Sequence, residues 1–225
     1  MSAPQSVGVR RSPQDDPRYK RVRAALVSAL VELAKERNVD DISVSELTGR
    51  AGVARQTFYK HAPSPAHLLA DYLTGQLEPH FSALAKLLGE GAVDTRERLT
   101  SIYVAIMEVI ARDPEIYSQV FVKNTSSSVR ALFATRLEEV FRTYVADFAA
   151  RLEWQATDLW VEMAVSQQLH NMIAIITAWL RTGMSASARE VVATYLTLAP
   201  PWQLVHLNES GKASMPRRGF IEGDK

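Results

Sequence analysis

A single glycine between two short, oppositely faced runs constrains this chain more than any other feature. In ISVSELTGRAGVARQTFYKH, residues 42 to 61, Ser43 is followed three positions later by Glu46. At that spacing a hydroxyl accepts from a free helix amide and a carboxylate returns the bond, so a helix is expected from Val44 to Ala51. Gly52 stands where that helix must stop and turn, a position favouring the left-handed backbone that glycine adopts cheaply. Behind the turn Ala54, Phe58 and His61 fall at i, i+4 and i+7 and form the inner face of a third helix. Arg55, Gln56, Tyr59 and Lys60 project from its other side. Upstream, Val22, Leu26, Ala29, Leu30 and Leu33 recur with helical period from Tyr19 to about Arg37. This first helix offers a surface on which Phe58 packs with Ile42, Leu47, Ala51 and Val53.

The rest of the chain repeats the helical pattern at greater length. Ser64-Pro65 opens a fourth helix running through Leu68, Leu69, Tyr72, Leu73, Leu77, Leu84 and Leu88. After a break at 89–94, Asp94 and Glu97 cap a helix carrying Leu99 to Ile110, and a shorter one follows Asp113-Pro114. Beyond a polar turn at 124–128, a long amphipathic helix runs from Val129 to Leu152. Another spans Thr157 to Thr182, and a last one starts at Ser187 with Glu190 and stops at Pro200-Pro201. No stretch alternates with period two. The fold class expected is all-α: a helix-turn-helix unit at 18–63 joined to a helical bundle at 64–207. Residues 1–17 and 208–225, poor in large apolar groups, are expected as a flexible arm and tail.

Composition removes several function classes. Cysteine is absent, which excludes disulfides and thiolate metal sites. The five histidines, at 61, 67, 80, 170 and 206, lack ligand spacing, so no metal or cofactor is expected. There is no Gly-rich phosphate loop, no GxSxG elbow and no paired carboxylates beside a base, and an enzyme is not expected. The N-terminus has no signal-type apolar segment, and no apolar run, Met172 to Ile176 included, is long enough to span a bilayer. A cytoplasmic protein with no membrane partner is the expectation. The net charge of +1 is unevenly spread: residues 1–61 hold 11 Lys/Arg against 7 Asp/Glu, and the remainder 15 against 18. A polyanion belongs at the basic end.

An exposed row of Arg, Gln, Tyr and Lys on a helix suits the major groove of DNA, where such side chains reach base edges and phosphates. The segment ISVSELTGRAGVARQTFYKHAPSPAHLLADYL resembles the DNA-binding domain of the TetR family of bacterial transcriptional regulators. The likeness covers about residues 19 to 79, with the helix-turn-helix at about 43–62. It rests on Ala-Gly-Val, Thr-Phe-Tyr and the following His. The resemblance implies that Arg55, Gln56 and Thr57 face bases and that Tyr59, Lys60 and His61 meet the backbone. It further implies that Ser43, Val44 and Ser45 form the phosphate-facing start of the second helix. Three positions depart from the family pattern: Ala54 stands where a serine-like cap is usual, Ala62 where a bulky apolar residue is, and Pro65 near the place of a phosphate-gripping lysine.

The same resemblance implies a repressor that acts as a homodimer on a palindromic double-stranded operator and is released by a small hydrophobic or aromatic effector. Tyr103, Met107, Tyr117, Phe121, Trp160, Met163, Gln167, His170 and Asn171 have the composition of a pocket wall. They also suit plain core packing, or, for Gln167, His170 and Asn171, a subunit seam. The segment around Met172, Ile176, Trp179 and Leu180 is apolar on nearly every side and calls for a second subunit, with Val191 and Tyr195 on the last helix beside it. The alternatives are a helical interaction module that no longer reads DNA and, after it, a small-molecule enzyme that uses the helical core.

Overall fold

The computed structural model describes residues 16–87, 95–123 and 126–204. The expected arm up to residue 15, the break at 89–94 with its cap Asp94, the turn residue Asn124 and the tail from 208 lie outside them. No strand occurs among the described residues.

Among the described residues nine α-helices follow in order: α1 (Pro17–Glu36), α2 (Val44–Ala51), α3 (Arg55–Phe58), α4 (Pro65–Lys86), α5 (Thr95–Ile110), α6 (Pro114–Phe121), α7 (Ser127–Ala149), α8 (Asp158–Arg181) and α9 (Ala188–Leu198). Short 3-10 turns lie at Val39–Asp41 and Pro201–Leu204. The caps explain most boundaries. The Asp16 side chain accepts from the Arg18 amide and Pro17 takes the first helical position, so α1 starts inside the expected arm. Ser64, Thr157 and Ser187 each accept from the amide three residues on, at 3.2, 3.2 and 3.3 Å. Ser187 and Glu190 form the full reciprocal capping box. Gly183, at φ 67°, ends α8.

The same motif at Ser43 is only half made. The Ser43 hydroxyl accepts from the Glu46 amide at 3.1 Å, but the Glu46 carboxylate pairs with Arg37 at the end of α1 instead of returning to Ser43. An arginine within reach is a stronger partner for a carboxylate than a backbone amide.

Helices α1, α2 and α3 enclose a small core of Leu26, Leu30, Ile42, Leu47 and Phe58. The larger core lies among α4 to α9, where α4 packs along α7 and α7 along α8. Two sets of polar contacts hold the small unit on the large one. Arg23 of α1 donates to the His61 carbonyl at 3.0 Å and to Asp71 of α4 at 3.2 Å. At the other side, Ser126 donates to Asn38 at 2.7 Å and Ser128 to Asp40, which docks the start of α7 on the first 3-10 turn. Inside α4, Pro79 has no amide for the Gly75 carbonyl one turn back, so one rung of this connecting helix is missing.

Candidate nucleic-acid interface

Gly52 adopts the left-handed conformation, φ 64° and ψ 32°, and its amide meets the last carbonyls of α2. That turn sends the chain into α3 at an angle to α2. Phe58 then points inward and is fully buried, while Arg55, Gln56, Tyr59 and Lys60 are exposed, Tyr59 to 52%. α3 itself is a single four-residue turn, continued by bonds from His61 and Ala62 to the Phe58 carbonyl at 2.8 and 3.2 Å. The exposed row therefore stands on a short rod pinned by one aromatic ring. Thr57 is half-buried beside it.

The other residues implied by the family likeness fall in two places. Ser43 and Ser45 are exposed at the start of α2 with Val44 half-buried between them. Arg55 reaches across the turn to the Ser45 hydroxyl at 3.5 Å, which joins the two helix starts into one surface. His61 is different. Its ring is turned inward and 8% exposed, packed on Tyr19 at 4.1 Å between centroids, so it does not stand in the row with Tyr59 and Lys60. Ala54, expected on the buried face, is exposed, because it is the extended residue before α3 and not part of the helix. Its carbonyl, and no side chain, closes the first turn, accepting from Thr57 at 2.8 Å.

His61 gives this surface a pH dependence. Burial, then the charges of Arg23 and Lys60, push its imidazole below the ordinary 6.5. The folded chain thus keeps the ring neutral at a pH where the unfolded chain has already taken up a proton. Its contribution to stability is whole above about pH 6.5 and falls as the pH drops through the folded value. Thermal melts at successive pH values should show the midpoint declining below that point. His61→Phe, which keeps a ring on Tyr19, should flatten the decline.

The nine residues considered for a pocket do not form one wall. Tyr103, Met107, Tyr117 and Phe121 are buried, and Trp160 and Asn171 are half-buried. Met163, Gln167 and His170 lie on the outer side of α8, Met163 at 65% exposure. Gln168, which sequence reasoning passed over, is buried and donates to the Tyr103 hydroxyl. Its signal was one residue of helical phase: Gln167 faces out, so Gln168 faces in. Burial holds the phenols of Tyr103 and Tyr117 above their ordinary range, and that of Tyr195 up at about 12, so all three stay neutral. Of the residues expected at a subunit seam, Met172, Ile176, Trp179 and Tyr195 are buried within the chain itself, and Leu180 and Val191 are half-buried. Trp179, Val191 and Tyr195 nevertheless line the groove between α8 and α9, and the apolar residues most open on these helices include Leu159, Met163, Ala174, Ala178 and Leu198. The groove has a volume of about 370 Å³, with Ala174, Ala178 and Leu198 also among its lining residues.

A two-helix unit with a glycine turn, carried by a helical bundle, is a helix-turn-helix architecture. Residues 26–72 match the family model described as bacterial regulatory proteins, tetR family. No curated protein matches the chain. Among solved structures it is similar to a putative TetR-family transcriptional regulator from Syntrophomonas wolfei, with 19% identity and a TM-score of 0.58 over 80% of this chain and 93% of that one. It is also similar to NalD, the secondary repressor of the MexAB-OprM multidrug efflux pump in Pseudomonas aeruginosa, with 18% identity, TM-score 0.57, and 81% and 95% covered. A third is the TetR-family repressor FadR of Thermus thermophilus, solved with lauroyl-CoA, with 19% identity, TM-score 0.56, and 78% and 92% covered. The N-terminal unit is a TetR-family DNA-binding domain, and the chain has the fold of a TetR-family transcriptional regulator. No helix among the described residues is long and apolar enough to cross a membrane.

Proposed function

We propose that the protein is a homodimeric repressor that holds a palindromic operator through α3 and leaves it when a small molecule binds the helical body. The observation that carries the reading is the exposed row Arg55, Gln56, Tyr59 and Lys60 on a turn fixed by buried Phe58, inside the segment that matches the family model. Arg55, Gln56 and Thr57 are assigned to base edges. Tyr59 and Lys60, with the start of α2 at Ser43, Val44 and Ser45, are assigned to phosphates. His61 supports the backbone contact from behind, by packing on Tyr19 under the turn. Binding belongs to 18–63, and ligand response and dimerisation to 64–207.

A second copy is assigned to the outer face of α8 and α9. Leu159, Met163 and Leu198 are 70, 65 and 77% exposed there, a large apolar surface for a monomer to leave in water. Two-fold pairing through this face sets two reading helices toward half-sites about 34–36 Å apart. A repressor solved with lauroyl-CoA among the structural neighbours supports a ligand-responsive body.

Titration of a labelled duplex taken from the DNA flanking the protein's own gene, at two salt concentrations, tests the reading. Phosphate contacts predict a steep fall in affinity with salt. Arg55→Ala should lower the preference for the cognate duplex over a scrambled one by about tenfold or more, from the roughly 1–3 kcal/mol that a good base contact contributes. Tyr59→Phe should weaken both duplexes by a similar factor. Wild-type behaviour in both variants would remove the assignment.

A further inference from the structure

The core at the α5, α7, α8 and α9 junction holds a row of neutral polar groups where leucines would pack more cheaply. Tyr103, Tyr144, Gln168 and Tyr195 are 3, 3, 1 and 7% exposed, and Gln203, from the closing 3-10 turn, is 8% exposed. The Gln168 amide nitrogen donates to the Tyr103 hydroxyl. The Tyr103 ring stacks on that of Tyr195, 5.6 Å between centroids and 13° apart in plane. Tyr195 in turn donates its hydroxyl to Oε1 of Gln203. The row thus runs from α8 through α5 and α9 to the last turn.

Both ends of the row are unfinished. Gln168 Oε1 and Gln203 Nε2 are buried with no hydrogen-bond partner. Turning either amide over exchanges oxygen for nitrogen but still leaves one atom unpaired, since each meets the row through a single phenol. Buried polar atoms of this kind are uncommon in folded chains and call for a specific explanation. Next to them the packing is deformable. Met107 lies one turn beyond Tyr103 on α5 and Met172 one turn beyond Gln168 on α8, both fully buried, and unbranched thioethers re-pack around a guest more readily than branched side chains do. Among the described residues no Lys, Arg, Asp or Glu is buried. Arg151, the cation on this side, is already paired with Asp147 at 3.4 Å, so a carboxylate or phosphate drawn into this junction would have to displace Asp147 to find an opposite charge.

We propose that this row is the polar anchor of an internal effector site, and that its ligand is an uncharged molecule with an apolar body and a hydroxyl group. A hydroxyl suits an unfinished amide in either orientation, because it both donates and accepts. The inference rests on the reading of the helical body as the effector domain.

Three probes of matched skeleton test it on the full-length protein by calorimetric titration: 4-butylphenol, butylbenzene and 4-butylbenzoate. The phenol should bind at least fivefold more tightly than the hydrocarbon and more tightly still than the benzoate. Gln168→Met and Tyr103→Phe, which keep volume, should bring the phenol down to the level of butylbenzene while leaving butylbenzene unchanged. The ranking in the wild type stands even where a variant folds poorly. Equal binding of phenol and hydrocarbon, tighter binding of the benzoate, or a phenol affinity indifferent to both substitutions would overturn the anchor and leave the effector reading intact. If none of the three binds, the anchor falls. If in addition no member of a broad compound collection releases the operator duplex, the effector reading falls with it.

Discussion

Phe58→Ala is expected to abolish operator binding and to lower the thermal midpoint of the protein by more than any other single change in the reader. The ring is fully buried among α1, α2 and the turn after α3, with the Tyr59 ring edge-on to it at 5.5 Å. Truncating a buried phenylalanine costs about 3–5 kcal/mol, from lost transfer energy and the cavity left behind. A unit whose core is a handful of side chains has little to spare against that. The loss acts on function through geometry: α3 is one turn long, and Phe58 is the contact that sets its angle. Arg55→Ala is the control, since it removes an exposed side chain and should leave the melt nearly unchanged while relaxing sequence preference. Circular dichroism melts and duplex titrations on the two variants separate the roles. A Phe58→Ala protein that melts like the wild type and still binds would mean that the reading helix is held by something else.

That prediction rests on a part of the molecule that was legible from residue order alone. The local signals around α2 and α3 all agree: a capping hydroxyl at Ser43, a left-handed turn that needs Gly52, and an apolar phase that returns at Phe58. Each acts within a few residues of chain, where spacing determines geometry. The failures there are equally local. Counting back from Phe58 puts Ala54 on the buried face, but helical phase has no meaning one residue before the helix begins. Glu46 was paired with Ser43 by spacing, yet Arg37, nine residues away, competes for the same carboxylate.

The helical body was legible only as helices. Periodicity states that Met172, Ile176 and Tyr195 face something apolar, and cannot say whether that is their own chain or a second one. In the structure it is their own. The exposed positions Leu159, Met163 and Leu198 are not readable as such, and Met163 reads instead as pocket wall, because an apolar residue on an outer face looks, in a linear pattern, like part of the inner one. The polar row fails for the opposite reason. Tyr103 and Gln168 lie 65 positions apart and Gln203 comes from a turn after the last helix, so only the packing of four elements brings them together.

Ala178→Glu with Leu198→Glu is expected to split the proposed dimer and to reduce operator affinity by a factor of a hundred or more. Both side chains are exposed and line the groove between α8 and α9, so neither change opens a hole in the core. The melt of the separated subunit should therefore stay cooperative. Two-fold pairing through this face would bring four new carboxylates into a surface that loses its water, and unpaired charge in such a surface is strongly unfavourable. The effect on DNA follows from linkage between half-sites. With two readers joined, the second half-site is bound at an effective local concentration that raises affinity by about 10²–10⁴ over one reader alone. A separated subunit keeps its α3 and loses that factor. Sedimentation should give the mass of one chain for the double variant and of two for the wild type. Titration of a duplex carrying a single half-site should give the same affinity for both proteins. A double variant that still sediments as a dimer places the subunit seam on another face, whereas a monomer that binds the full operator undiminished would show that reading needs one copy only.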